Sequence, residues 1–172
     1  MNKKWLVLYV LFVSYSLFSM TAQRNVTLDF ISLFTFQGDL LLVMVFNMLG
    51  VFPLYYLLVA LRYEKQKIFV YVLFSLGFMF GAFAILPGLM LLKGKRQPLT
   101  RKKQGLLILL AFILLIMLFI GVIFGDLSMY FQLFLNDQFV HIMSIDLLVL
   151  LLIPYLDGTF SSPFVHLVKW QL

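Results

Sequence analysis

The feature that most constrains this chain is the apolar run over residues 105–125, which contains no charged or amide side chain. A helix that spans a membrane needs about 20 apolar residues, so this run alone is long enough to cross. Four more apolar runs cover residues 5–20, 40–61, 68–92 and 138–154. Hydrophobic residues make up 63% of the chain and charged residues 12%, a composition far more apolar than that of a soluble domain. We therefore predict one all-α domain over residues 1–172, a polytopic integral membrane bundle of about five transmembrane helices.

The basic residues lie mainly in two loops, RYEKQK at 62–67 and KGKRQPLTRKKQ at 93–104. Basic loops beside apolar runs act as topology signals and contact anionic lipid headgroups, so the net charge of +6 does not indicate nucleic-acid binding. If every run crosses once, the two loops lie on opposite sides of the membrane. The distribution of Lys and Arg then favours an N-terminus outside and a C-terminus inside, although the basic start MNKK argues for the reverse.

Three segments between or after the runs are predicted not to cross. Residues 28–36 are mostly apolar but too short to span, and we expect an interfacial segment. The loop DLSMYFQLFLND at 126–137 is amphipathic and acidic, and the tail at 157–172 suits a short helix lying on the membrane surface. Pro53 and Pro87 are expected to kink or end their helices.

The last run, FVHIMSIDLLVLLLIP, contains a carboxylate at Asp146. This residue lies about 12 Å along its helix, close to the middle of a ~30 Å apolar core. A lone carboxylate at this depth costs roughly 2.5–3.5 kcal/mol, so protonation, a hydrogen-bonding partner or a water-filled path must offset it. Asn47 lies at a similar depth in the second run, which is expected to be antiparallel to the last. We predict an Asn47–Asp146 hydrogen bond, which would act as a structural link, a proton or ion relay, or a ligand contact.

Four further residues are candidates for intramembrane contacts. Ser144 is grouped with Asn47 and Asp146 as a polar contact, whereas His141 points about 140° away from Asp146 and is not expected to pair with it. His141 is predicted to hydrogen-bond a neighbour, with ligation of a chlorophyll magnesium as the weaker alternative, and no other cofactor or metal is predicted. Gly77 and Gly81 form a small-xxx-small pattern that is predicted to let helices pack closely.

Three segments carry a resemblance to a family: VFNMLGVFPLYY at 45–56, GAFAILPGLMLL at 81–92 and FVHIMSIDLLVLLLIPYL at 139–156. In this order the chain resembles an uncharacterised family of small polytopic membrane proteins of cyanobacteria and plant chloroplasts. Its pattern reads roughly FN-x-MG-x-x-P, GAF-x-LLPYL and RF-x-HVMS-x-D. Gly88 and Gln138 stand where the family usually has an aromatic residue and an arginine. The resemblance implies an integral protein of a thylakoid, plastid or bacterial inner membrane, and it implies no activity.

The sequence leaves three hypotheses for the function of the protein. The chain has no cysteine and no HExxH, GxSxG or P-loop motif, so we predict that it is not an enzyme and has no catalytic residues. The first hypothesis is an accessory subunit or assembly factor that contacts lipids and other subunits of a larger membrane complex, with a photosynthetic complex as one candidate. The alternative is a small transporter or channel-like protein in which Asp146 and Asn47 line a proton or solute path. The third, an enzyme acting on lipid, would need His141 or Asp146 beside a cavity the size of a headgroup.

Overall fold

The computed structural model describes residues 3–21, 38–64, 66–95, 97 and 100–157. These residues form an all-α structure, as predicted, with seven helices and no strand in the described ranges. The helices are α1 (Lys3–Met20), α2 (Leu40–Ala60), α3 (Ile68–Phe80), α4 (Ala82–Leu91), α5 (Arg101–Phe124), α6 (Leu127–Asn136) and α7 (Gln138–Asp157). The predicted interfacial segment at 28–36 and the predicted tail beyond residue 157 lie outside the described residues.

Three of these helices, α1, α2 and α5, are long and apolar enough to cross a membrane. The other apolar helices of the described chain are shorter, namely α3, α4 and the part of α7 up to Ile153. The run at 68–92, predicted as one helix, is divided at Gly81 into α3 and α4. The segment at 127–136, predicted as an amphipathic loop, is the helix α6.

The two short helices α3 and α4 fold back on each other as a hairpin with Gly81 at its tip. A Cβ built on Gly88 would lie 3.1 Å from the ring of Phe74, whereas residues 74 and 88 of a continuous helix would be about 21 Å apart. At the open end, the Lys93 N–H donates to Gln66 Oε1 at 3.2 Å, and the Gln66 side-chain amide donates to the Lys93 carbonyl. The prediction of a single crossing by this run is therefore wrong, because both ends of the hairpin lie at the same end of the bundle.

The hairpin makes α2 and α7 run in the same direction. The rings of Phe46 and Phe139 lie 6.3 Å apart near the starts of the two helices, and the Tyr56 hydroxyl donates to the Leu150 carbonyl at 2.8 Å further along. The antiparallel arrangement predicted from sequence is wrong because it assumed one more crossing. The helix α1 runs opposite to α7, since Tyr15 near its end contacts His141 near the start of α7.

The two ends of the bundle carry opposite charge. We call one the basic end, where α1 begins, α2 ends, the hairpin opens and α5 begins. All the described Lys and Arg residues lie there: Lys3, Lys4, Arg62, Lys67, Lys93, Lys95, Arg101, Lys102 and Lys103. The opposite, acidic end holds Asp39, Asp126 and Asp137, and Asp39 Oδ2 accepts a hydrogen bond from the Asp126 N–H at 2.8 Å. The two basic loops, expected on opposite sides, thus share one end.

The central helix is α2, which packs against α3, α5 and α7. Its approach to α5 is close because Gly121 and Gly125 face Leu41, and a Cβ added at Gly125 would lie 2.5 Å from the Leu41 Cβ. This pair has the small-xxx-small spacing that brings two sequence-distant helices together. Sequence reasoning assigned that role to Gly77 and Gly81 instead.

The prolines do not end their helices. Pro53 and Pro87 lie inside α2 and α4, and α7 continues beyond Pro154, where the sequence predicted its end. Proline has no N–H, so residue 154 cannot donate to the carbonyl of Leu150. The buried hydroxyl of Tyr56 donates to that carbonyl instead, which links α2 to α7 at the point where the helix loses its own donor.

Candidate functional site

The tip of the hairpin is a one-residue break at Gly81. Its φ of +50° and ψ of −130° lie in a region that residues with a side chain rarely adopt. The Gly81 N–H closes α3 by donating to the Gly77 carbonyl at 2.8 Å, and α4 begins at the next residue. A Cβ added to Gly81 would lie 1.7 Å from Asp146 Oδ2, so both the backbone and the close approach of α7 require glycine here.

The Asp146 carboxylate caps the first turn of α4. Its Oδ1 accepts a hydrogen bond from the Ala82 N–H at 2.6 Å, and the side chain is buried, with 7% of its surface exposed. The first N–H groups of a helix have no partner inside the helix, and the helix dipole favours a negative group beside them. The acidic residue in the last apolar run is therefore explained by the broken helix that it faces.

The predicted Asn47–Asp146 hydrogen bond is not formed in the structure. Asn47 Nδ2 donates to the Val43 carbonyl at 2.8 Å, one turn earlier in its own helix, while Asp146 bonds the backbone of Ala82. The break at Gly81 exposes a backbone donor next to the carboxylate, and this donor takes the place expected for the Asn47 amide. Both side chains nevertheless line the same cavity.

This cavity, of about 610 Å³, lies between α2, the hairpin tip and α7. Asn47 and Asp146 are the polar side chains on its wall, and Asp146 Oδ2 accepts no hydrogen bond from the described residues. Met79, at the hairpin tip on its rim, is 80% exposed, so the cavity opens to the outside of the bundle at this point. The rest of the wall is apolar or glycine: Phe46, Leu49, Gly50, Gly77, Phe78, Phe80, Gly81, Phe83, Phe139, Ile142 and Met143.

Gly77 also lies on this wall, inside the hairpin. A Cβ added there would lie 2.8 Å from Ile85 Cγ1 and 3.3 Å from Pro53 Cβ. Its small size thus lets α3 approach both α4 and α2. Gly81, its predicted packing partner, instead forms the break between the two hairpin helices.

His141 lies apart from the cavity and is held by two hydrogen bonds. The Phe134 carbonyl can only accept, so Nδ1 donates to it at 2.9 Å. In the neutral ring Nε2 is then the acceptor, and the Tyr15 hydroxyl donates to it at 2.7 Å. Both ring nitrogens are engaged within the chain, so this arrangement offers neither of them to a chlorophyll magnesium, the weaker alternative raised from the sequence.

Ser144 links α7 to α6, and its hydrogen bonds in the described chain go to neither Asn47 nor Asp146. Its hydroxyl donates to the Val140 carbonyl at 2.6 Å, so the Tyr130 hydroxyl is the donor in the 2.6 Å contact with Ser144 Oγ. Burial raises the pKa of Tyr130 above its ordinary value. The polar group predicted as one set therefore divides into a cavity pair and a separate helix link.

Sequence reasoning missed the hairpin tip, the Ala82 backbone donor and the tyrosines that hold His141 and Ser144. The signal that could have revealed the hairpin is the pair of basic loops on both flanks of the run at 68–92. A segment that turns back inside the bundle brings both flanks to one end. Nothing in the sequence could identify Tyr15 or Tyr130 as partners, because those contacts join separate helices.

No family model, curated protein or solved structure matches this chain. The family resemblance drawn from the three motifs therefore stays a prediction. Among the described residues, no group of three or more His, Asp or Glu side chains could hold a metal ion. What the cavity offers chemically is one carboxylate and one amide on an apolar wall, an arrangement suited to binding and orienting a small molecule.

Proposed function

We propose that the protein is an integral membrane protein in which α1, α2, α5 and α7 cross and the α3–α4 hairpin re-enters. The hairpin helices have 13 and 10 residues, or about 20 and 15 Å at 1.5 Å per residue. Each is too short for a core of ~30 Å but long enough to reach its middle. The opposite charges of the two ends support the same arrangement.

The basic end is proposed to face the cytoplasm, following the positive-inside rule. The start of α1 and the end of α7 then both lie on the cytoplasmic side. This replaces the outside N-terminus expected from the sequence. The conflict between the start MNKK and the two basic loops disappears because the hairpin brings all three to one side.

Within this topology, the function supported best is that of a small transporter or channel-like protein with a solute site at the hairpin tip. The observation that carries it is the broken helix capped by Asp146 on the wall of a cavity at the hairpin tip. In lipid, an irregular backbone is tolerated where it is buried in protein or lines a cavity. Broken helices whose ends point at a mid-membrane site recur in transporters.

The accessory-subunit hypothesis stays a prediction. The exposed apolar side chains of α5, such as Leu109, Phe112 and Phe119, are what contact with lipid requires and do not by themselves indicate a protein partner. Mass spectrometry after mild-detergent purification tests it, since stoichiometric partners would support a subunit role.

Thiol accessibility tests the solute site. The chain has no cysteine, so a single introduced cysteine is an unambiguous probe. We choose two positions, Ile142 on the cavity wall and Leu115 on the outer face of α5. A small charged thiol reagent should modify Ile142→Cys in membrane vesicles and leave Leu115→Cys unmodified, because thiolates form only where water reaches. If both cysteines stay unmodified, the proposed path does not exist.

A further inference from the structure

We infer that the cavity binds an organic ammonium ion, that is, a protonated amine carried on an apolar body of modest size. This inference rests on the proposed solute site and specifies the chemical class of its ligand. Three features of the cavity carry it: the unused acceptors on its wall, the lack of a cationic side chain among the described residues that line it, and its phenylalanine rings.

The two polar side chains on the wall offer acceptors. Asp146 Oδ1 is occupied by the Ala82 N–H, and Oδ2 accepts nothing from the described residues. Asn47 donates one of its two amide N–H groups to the Val43 carbonyl, and its Oδ1 accepts nothing from the described residues, so this oxygen is a second acceptor for a ligand. A ligand that satisfies both side chains must therefore bring hydrogen-bond donors.

Among the described residues, the cavity wall also holds a carboxyl group with no cationic side chain beside it. The residues that line it include no Lys, Arg or His, and the described Lys and Arg all lie at the basic end. The start of α4 favours the ionised carboxylate through the helix dipole, but a dipole supplies only a partial charge. A ligand with one positive charge would complete the pairing in a site where burial strengthens it.

The rings decide between an organic cation and a metal ion. Five phenylalanines line the cavity: Phe46, Phe78, Phe80, Phe83 and Phe139. Aromatic faces attract ammonium groups within about 6 Å of the ring centre and pack against alkyl or aryl bodies. Hard metal ions prefer six or more oxygen ligands, and the side chains of the described wall supply only the oxygens of one carboxylate and one amide. The volume of about 610 Å³ suits a small organic molecule, and the opening beside Met79 gives such a molecule a way in.

The test compares two probes of equal shape on the purified full chain in detergent, 4-phenylbutylamine and 4-phenylbutan-1-ol, with binding measured by calorimetry at neutral pH. The variant is Asp146→Asn, which keeps an oxygen for the Ala82 N–H but removes the charge. The matched control is Asp126→Asn, which removes a carboxylate that is exposed at the acidic end. We expect the amine to bind the unaltered chain and the Asp126 variant with equal affinity, and to bind Asp146→Asn about tenfold more weakly or worse.

Equal affinity for amine and alcohol, or amine binding that Asp146→Asn leaves unchanged, would overturn the ammonium assignment. A third variant, Ile142→Trp, fills the cavity and so distinguishes failure of the ammonium assignment from failure of the solute site itself. If both probes bind the unaltered chain with equal affinity and neither binds the Ile142→Trp variant, the cavity is a ligand site for neutral molecules. If neither probe binds, the ammonium assignment is refuted, and the Ile142→Cys labelling decides independently whether the solute path exists.

Discussion

Replacement of Gly81 by alanine tests the hairpin tip directly. The added Cβ would lie 1.7 Å from Asp146 Oδ2 and 2.6 Å from its Cγ, so the carboxyl group has to move away from Ala82. The alanine must also adopt φ +50° and ψ −130°, a conformation in which a side chain is strained. The two effects act on the same turn and should add.

The expected loss of stability follows from these two terms. A residue held in a sparsely populated backbone region costs about 1–3 kcal/mol. Loss of a hydrogen bond to a charged group costs about 1.5–3 kcal/mol. Their sum, about 2.5–6 kcal/mol, is a large share of the roughly 5–15 kcal/mol that stabilises a typical folded domain.

The assay is reversible unfolding in mixed micelles, followed by circular dichroism, with two glycines of the same cavity as controls. A Cβ at Gly50 meets nothing within 4 Å, so Gly50→Ala should be neutral or stabilise by up to about 1 kcal/mol through helix propensity. Gly77→Ala should fall between the two, at about 1–3 kcal/mol, because the Ile85 side chain that it would crowd can move.

A double-mutant cycle isolates the contact. Asp146→Ala should destabilise the unaltered chain, yet it should have little further effect once Gly81→Ala has displaced the carboxyl group. A Gly81→Ala protein as stable as Gly50→Ala would refute the hairpin geometry, and additive effects of Gly81→Ala and Asp146→Ala would refute the contact between the two residues.

Two other predictions concern the topology and the α6–α7 link. Cysteines at positions 67 and 95 should react with an impermeant maleimide from the same side of the membrane, and a cysteine at position 128 should react from the other side. Labelling of the first two from opposite sides would show that residues 68–92 cross once and would refute the hairpin topology. Tyr130→Phe should lower stability by about 0.5–1.5 kcal/mol by removing the bond to Ser144. The pKa of Tyr130 is raised above 10.0, so the stability that its neutral side chain contributes is complete below that pH and is lost as the pH rises through the raised pKa. The stability of the unaltered chain should therefore fall more steeply at alkaline pH than that of the variant.

The helices with local determinants could be predicted from the sequence. The runs at 5–20 and 40–61 agree closely with Lys3–Met20 and Leu40–Ala60, because an apolar stretch of that length specifies a helix without reference to the rest of the chain. The run at 68–92 has the same local character, but its fold depends on Asp146, 64 residues from Ala82 in sequence. Apolarity does not distinguish a run that crosses from one that turns back.

The partner of Asp146 was missed for a related reason. Sequence reasoning correctly required something to offset a buried carboxylate, but it compared side chains at equal depth. The actual donor is the Ala82 N–H, which has no intrahelical partner only because α4 begins there. Asn47 Nδ2, meanwhile, donates to the carbonyl four residues before it, a local bond that pairing by depth does not consider.

The hairpin tip and Asp146 are each unfavourable alone in an apolar environment, and each offsets the other. The break leaves a backbone donor without a partner, and the carboxylate needs a donor. An asparagine at position 146 would satisfy the Ala82 N–H through its amide oxygen and would cost less to bury, so capping alone does not require the charge. A purely structural role therefore predicts that Asp146→Asn is as stable as the unaltered chain or more so, with no other change. Loss of amine binding at unchanged stability would show that the charge serves the ligand, which is the distinction that the sequence could not make.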